Sequence, residues 1–169
     1  MIGRLHHVIV DCPDPVALAG FYAELLGLPV TWQEDDFVVV SADDRSSGIG
    51  FQLAPDFQPP RWPDPSRPQQ MHFDVMVDDV DAAEPLVLAL GARRLAGGGD
   101  GPRVFADPAG HPFCLIPRPG WAAPIAGSPD GRDVRPPPMT SGPRRRLKRP
   151  WTLLIGGPRP SGWPTWSRA

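Results

Sequence analysis

Residues 5–27 read LHHVIVDCPDPVALAGFYAELLG, and they set the grammar of the chain. Leu5 to Val10 is an apolar run rich in β-branched residues and predicts a strand. Asp14-Pro15 then supplies a side-chain cap followed by proline at the first helical position, where a missing N–H costs nothing. Leu18, Phe21, Tyr22 and Leu25 recur at i, i+3, i+4 and i+7, one apolar helix face, and Gly27 ends the helix. Three short strands are predicted next, at 29–33, 37–41 and 49–53, separated by the acidic and glycine-containing turns at 34–36 and 43–48. The unit is βαβββ.

The order then returns in residues 71–91, MHFDVMVDDVDAAEPLVLALG. Met71 to Val77 predicts a strand. Asp81 and Glu84 have capping-box spacing for a helix from about Ala82 to Leu90, with Gly91 as its end. Strands are predicted near 93–95, 103–106 and 113–116. Overlaying the units matches His7 with His72, Asp14 with Asp79, Leu26-Gly27 with Leu90-Gly91, and Phe51-Gln52-Leu53 with Phe113-Cys114-Leu115, at offsets of 65, 65, 64 and 62 residues. A half-domain of this size cannot bury its sheet alone, so the expectation is an α+β fold of two tandem βαβββ modules (3–54 and 70–117) forming a curved mixed sheet around a cleft. The connector, 54–70, holds six prolines and should be a stiff strap. It is either a plain crossover or a lid in which Arg61 and Trp62 close over a ligand.

Composition separates this unit from the rest of the chain. The 169 residues include 25 prolines and 18 glycines, and the net charge is -2. That near-neutrality is a cancellation: residues 1–118 hold 17 acidic and 8 basic groups, and residues 119–169 hold 2 and 9. The segment 118–169 has no apolar periodicity and is expected to be a disordered tail; its RRRLKR at 144–149 lacks the aromatic interleaving of a nucleic-acid platform, and a read-through extension is the other reading of its bias. Two cysteines in a chain with its own core read as reduced thiols. No apolar run is long enough to span a bilayer and the start has no secretory pattern, so a cytoplasmic location is expected. No dinucleotide fingerprint, phosphate loop or nucleophile elbow occurs, and no nucleotide cofactor is expected.

Alternation along 71–77 puts Met71, Phe73, Val75 and Val77 on one face and His72, Asp74 and Met76 on the other. The duplication then suggests a shared cleft holding His7, Gln52, His72 and Cys114. Two imidazoles at equivalent positions suit one divalent metal ion; two hydrogen-bonded histidines in a polar cleft are the alternative. Asp74 is a general base or fixes a histidine tautomer.

The segments LHHVIVDCPDP, FYAELLGLPV, PPRWPDPSRPQQMHFDVMVDDVDAA, LGARRL and FADPAGHPFCLI together resemble the vicinal-oxygen-chelate superfamily, in its glyoxalase-like and bleomycin-resistance branch. The resemblance covers residues 3–117 and implies paired βαβββ modules around a cleft, commonly a homodimer. It implies metal ligands at His7, Gln52, His72 and Cys114. Cys114 and Gln52 stand where the glyoxalase pattern carries glutamate, which departs from an orthodox glyoxalase I. Three functions are expected. The first is a metal-dependent lyase, isomerase or dioxygenase acting on a small molecule. The second is a metal-free, antibiotic-sequestering binding protein with a cleft lined by Trp32, Phe37, Trp62 and Met76. The third is a regulatory or structural module without ligand.

Overall fold

A computed structural model describes residues 1–99 and 101–125. The elements run β1 (His7–Cys12), α1 (Pro15–Leu26), β2 (Val30–Gln33), β3 (Phe37–Ser41), β4 (Gly48–Leu53), β5 (Phe73–Val77), α2 (Val80–Ala89), β6 (Arg93–Arg94), β7 (Arg103–Ala106) and β8 (Pro112–Pro117). The cap of α1 forms as its residues dictate: Asp14 stays extended and its carboxylate accepts from Ala17 N at 2.9 Å. Gly27 takes φ 63°, a left-handed conformation that glycine enters without a Cβ penalty.

The second helix corrects its expected start. Asp79, not Asp81, is the cap, and its Oδ1 accepts from Asp81 N at 2.8 Å and Ala82 N at 3.1 Å. Glu84 does not reach back to close a capping box. It turns outward to pair with Arg103, which also pairs with Asp81, and with Arg94 at 3.7 Å. With Asp79 as the cap, the third helical residue is Ala82, so Glu84 stands two residues beyond the position a capping box needs.

Each module forms a four-stranded mixed sheet, in the orders β1-β4-β3-β2 and β5-β8-β7-β6. The first and last strands of each module pair in parallel and the other pairs are antiparallel. One core serves both modules. Tyr22 of α1 is fully buried; its ring stacks on Phe51 at 5.2 Å and meets Phe73 of the second module edge-on at 5.6 Å. Phe21 meets Phe113 at 5.8 Å, and Phe113 stacks on Phe105 at 5.6 Å. Helix α1 is thus the wedge that joins the modules, and the expected fold of two βαβββ units is observed.

The strand register revises the repeat. Val10 pairs with Phe51 and Asp11 with Gln52; Phe73 pairs with Phe113 and Asp74 with Cys114. With the last strands superposed on Phe51 and Phe113, Asp11 is the counterpart of Asp74 and Ile9 that of His72. The His7–His72 match is two residues out of step, because the second module has two more residues between the matching rung of its first strand and its helix cap. A two-residue slip preserves the face, so alternation could not reveal it.

The connector carries turns only. Phe57 packs against His111, with ring centroids 5.0 Å apart, and Trp62 Nε1 donates to Ala96 O at 2.7 Å. Residues 118–125, expected to belong to the tail, are tied down: Arg118 N donates to Val77 O, the Arg118 guanidinium pairs with Asp78, and Ile125 N donates to Asp78 Oδ2 at 2.7 Å. The rest of the expected tail, including 144–149, lies outside the described residues. Among the described residues, no helix is long and apolar enough to cross a membrane.

Candidate functional site

In the second module, strand pairing sets Asp74 beside Cys114, and alternation sets His72 on the same face as Asp74. The three donor atoms lie within 4.8 Å of one another, and among the described residues this is the group of His, Cys, Asp or Glu that converges so. His72 Nε2 is 3.5 Å from Asp74 Oδ1, with both side chains partly exposed. Gln69 Nε2 is 3.5 Å from the other ring nitrogen of His72, and Gln69 Oε1 is buried without a hydrogen-bond partner. Desolvation pushes the Cys114 thiol above its ordinary range, and the charge and hydrogen bond of Asp74 push it further the same way.

The first module contributes differently. Gln52 stands beside Asp11 and Phe37, whereas His7 stands beside Gly48 at the start of β1, four residues from Asp11, roughly 13 Å at strand rise. His7 lies against His6, its ring centroids 3.8 Å away, and desolvation, then the charge of His6, lowers its affinity for a proton. The structure therefore brings His72 and Cys114 together with Asp74, and brings neither His7 and Gln52 to each other nor His7 into that group. Trp32 pairs with Val39, and Phe37 with Gln52, so both share the face of Ile9 and Gln52. The Phe37 ring and Ile9 Cδ1 fill the space beside Gly50, within 3 Å of where a Cβ would stand. Met76 pairs with Ile116 on the face of Asp74 and is partly exposed. Trp62 is fastened by its bond to Ala96 O, with its indole beside Gly97, while Arg61 is exposed.

A cavity of about 410 Å³ opens between β1, the connector and the start of β5. Ile9, Phe57, Met71 and Phe73 give it apolar walls; His72, His111 and Arg67 give it polar points. His72 thus belongs both to the three-donor group and to the cavity. Few polar groups on an apolar wall suit a small organic ligand with oxygen functions. Sequence reasoning missed Asp11, Phe57, Arg67 and His111. Asp11 was hidden by the slipped repeat, and His111 by its place in a turn motif read only as a turn.

The donor set decides which ion it fits. One imidazole nitrogen, one carboxylate oxygen and one sulfur match zinc and its borderline neighbours; magnesium and calcium take oxygen shells and do not use thiolate. With three protein donors, a fourth position would stay open to a ligand.

Comparisons with known proteins agree with this layout. The sequence pattern of the glyoxalase-like domain matches residues 7–116. Among solved structures, a glyoxalase/bleomycin resistance protein/dioxygenase family enzyme from Burkholderia phytofirmans PsJN superposes with a TM-score of 0.55 at 18% identity, over 68% of this chain and 98% of that one. A glyoxalase-related enzyme from Fulvimarina pelagi gives 0.52 at 20% identity, over 75% and 96%. The oxidase ChaP-H2 gives 0.50 at 26% identity, over 70% and 96%. Comparison with curated proteins gives no match. With the matched pattern spanning both modules, the chain belongs to the glyoxalase-like domain family, within the vicinal-oxygen-chelate superfamily.

Proposed function

We propose that the protein binds a small oxygenated molecule in the cavity between its modules and acts on it through His72, Asp74 and Cys114 around one divalent ion of the zinc type. The carrying observation is the convergence of three unlike donors, one of which, His72, also lines an apolar cavity. A bound ion would supply Lewis acidity, polarising a ligand oxygen. Asp74 and Cys114 are set side by side by the β5–β8 ladder, and His72 stands immediately before β5. Asp74, on the same face, either completes the donor set or takes a proton from the ligand carbon next to the polarised oxygen. Ile9, Phe57, Met71 and Phe73 exclude water from the apolar body of the ligand. This is the chemistry of a lyase or isomerase, and it does not require the glutamate base of an orthodox glyoxalase I.

A metal-free binding protein is the second reading, favoured by the upward push on the Cys114 thiol, which keeps that sulfur protonated and a poor ligand in the absence of an ion. Equilibrium dialysis of the full chain against zinc separates the two. The proposal expects about one zinc per chain, lost in His72→Ala and Cys114→Ala and kept in His7→Ala and Gln52→Ala. Zinc-free wild-type protein after dialysis gives the site to the second reading.

A further inference from the structure

The Asp107–His111 turn lies outside the three-donor group and is densely hydrogen-bonded. Asp107 is buried, with 1% of its surface exposed. Its Oδ1 accepts from the backbone N–H groups of Ala109, Gly110 and His111 at 2.8–2.9 Å. Its Oδ2 accepts from the Tyr22 hydroxyl at 3.1 Å and faces His111 Nδ1 at 2.9 Å. The other ring nitrogen, Nε2, faces the backbone carbonyl of Asp11 at 3.0 Å. Both ring nitrogens therefore face acceptors.

A neutral imidazole has one N–H and one lone pair. Whichever nitrogen carried the proton, the other would set its lone pair against an oxygen at hydrogen-bond distance. Moving the proton to Asp107 instead would waste a carboxylate that three N–H groups and one O–H already stabilise as an anion. A buried carboxylate also needs a counter-charge, and among the described residues His111 is the side chain paired with it that can carry one when protonated.

We propose that His111 is a positioning residue held as an imidazolium, a proton-dependent latch that ties the second module's turn to β1 of the first. Asp11 and His111 both line the cavity, so the latch fixes one edge of its wall. The latch stands on these contacts whether or not the cavity holds an ion. The groups around it are Asp107 in its own turn, to which Tyr22 from α1 donates, and the backbone carbonyl of Asp11 from β1; the connector presents Phe57, and its Arg67 lines the same cavity. Tyr22 and Cys12 are both pushed upward and keep their protons, Cys12 up to about 11. Loss of either imidazolium proton would remove one of the two hydrogen bonds.

Ring-nitrogen NMR of the ¹⁵N-histidine-labelled full chain tests this directly. At about pH 7, His111 is expected to show protons on both Nδ1 and Nε2; one protonated and one bare nitrogen overturns the proposal. A second arm compares melting temperatures of wild type and His111→Asn. The gap is expected to be about 5 °C near pH 6 and to fall by half or more toward pH 9, since the stabilising proton is lost as pH rises. A gap that stays flat over that range also overturns it. Should the variant not fold, the wild-type spectrum decides alone.

Discussion

A carboxylate stands on the same rung of both parallel strand pairs, Asp11 beside Gln52 and Asp74 beside Cys114. Only one of them gains a donor group around it, because the residue two before it is His72 in one module and Ile9 in the other. Which side chains occupy the faces was legible from alternation. Which rung they occupy was not, since a slip of two residues leaves every face unchanged. The two cysteines also part at this scale. Cys114 is half-buried beside Asp74, whereas Cys12 is fully buried in the core, where desolvation foremost, with the charge of Asp107 behind it, raises its thiol to about 11 against an ordinary 9.0. The folded state therefore holds this proton where the unfolded chain releases it, and stability should fall as pH rises between those two values. Denaturant midpoints of wild type and Cys12→Ala across that window check this: the wild type should show the steeper loss, and parallel curves would contradict this role of Cys12.

At the scale of elements, the chain announced its helices by period and its strands by β-branched runs, and both modules formed in the predicted order. The start of α2 was misread because two acidic residues, Asp79 and Asp81, both offer cap chemistry. The observed backbone decides for Asp79, which is extended at φ -139° and accepts from two N–H groups. Asp79→Ala should cost about 1 kcal/mol, or a few degrees of Tm. Asp81→Ala, which loses only the exposed arm of the Arg103 pair, should cost less than half of that. Thermal unfolding of the two variants side by side reads the difference, and equal costs would return the cap to Asp81. The strap between the modules shows what composition alone could not give. Its prolines predicted stiffness, but the contacts that use it, Phe57 on His111 and Trp62 on Ala96, depend on partners about 35 to 55 residues away in sequence.

For the whole molecule, duplication is the source of both the fold and the site. Neither sheet closes a core alone; α1 brings Phe21 and Tyr22 to Phe113 and Phe73, and the two faces left over become the cleft. That much was foreseeable from the repeat. Its asymmetry was not, because the repeat suggested four symmetric positions and the structure gathers three donors, all from the second module. The cavity draws its walls from both modules and the strap, so its lining could be known only once long-range packing was known. The proposed centre is therefore specific to one sulfur, one nitrogen and one oxygen from Cys114, His72 and Asp74. X-ray absorption at the zinc edge, on zinc-loaded full-length protein after removal of free metal, tests it most directly. One sulfur neighbour is expected at about 2.3 Å and nitrogen or oxygen neighbours at about 2.0–2.2 Å, with the sulfur gone in Cys114→Ser. A shell of nitrogen and oxygen alone in the wild type, or no zinc retained, would contradict it.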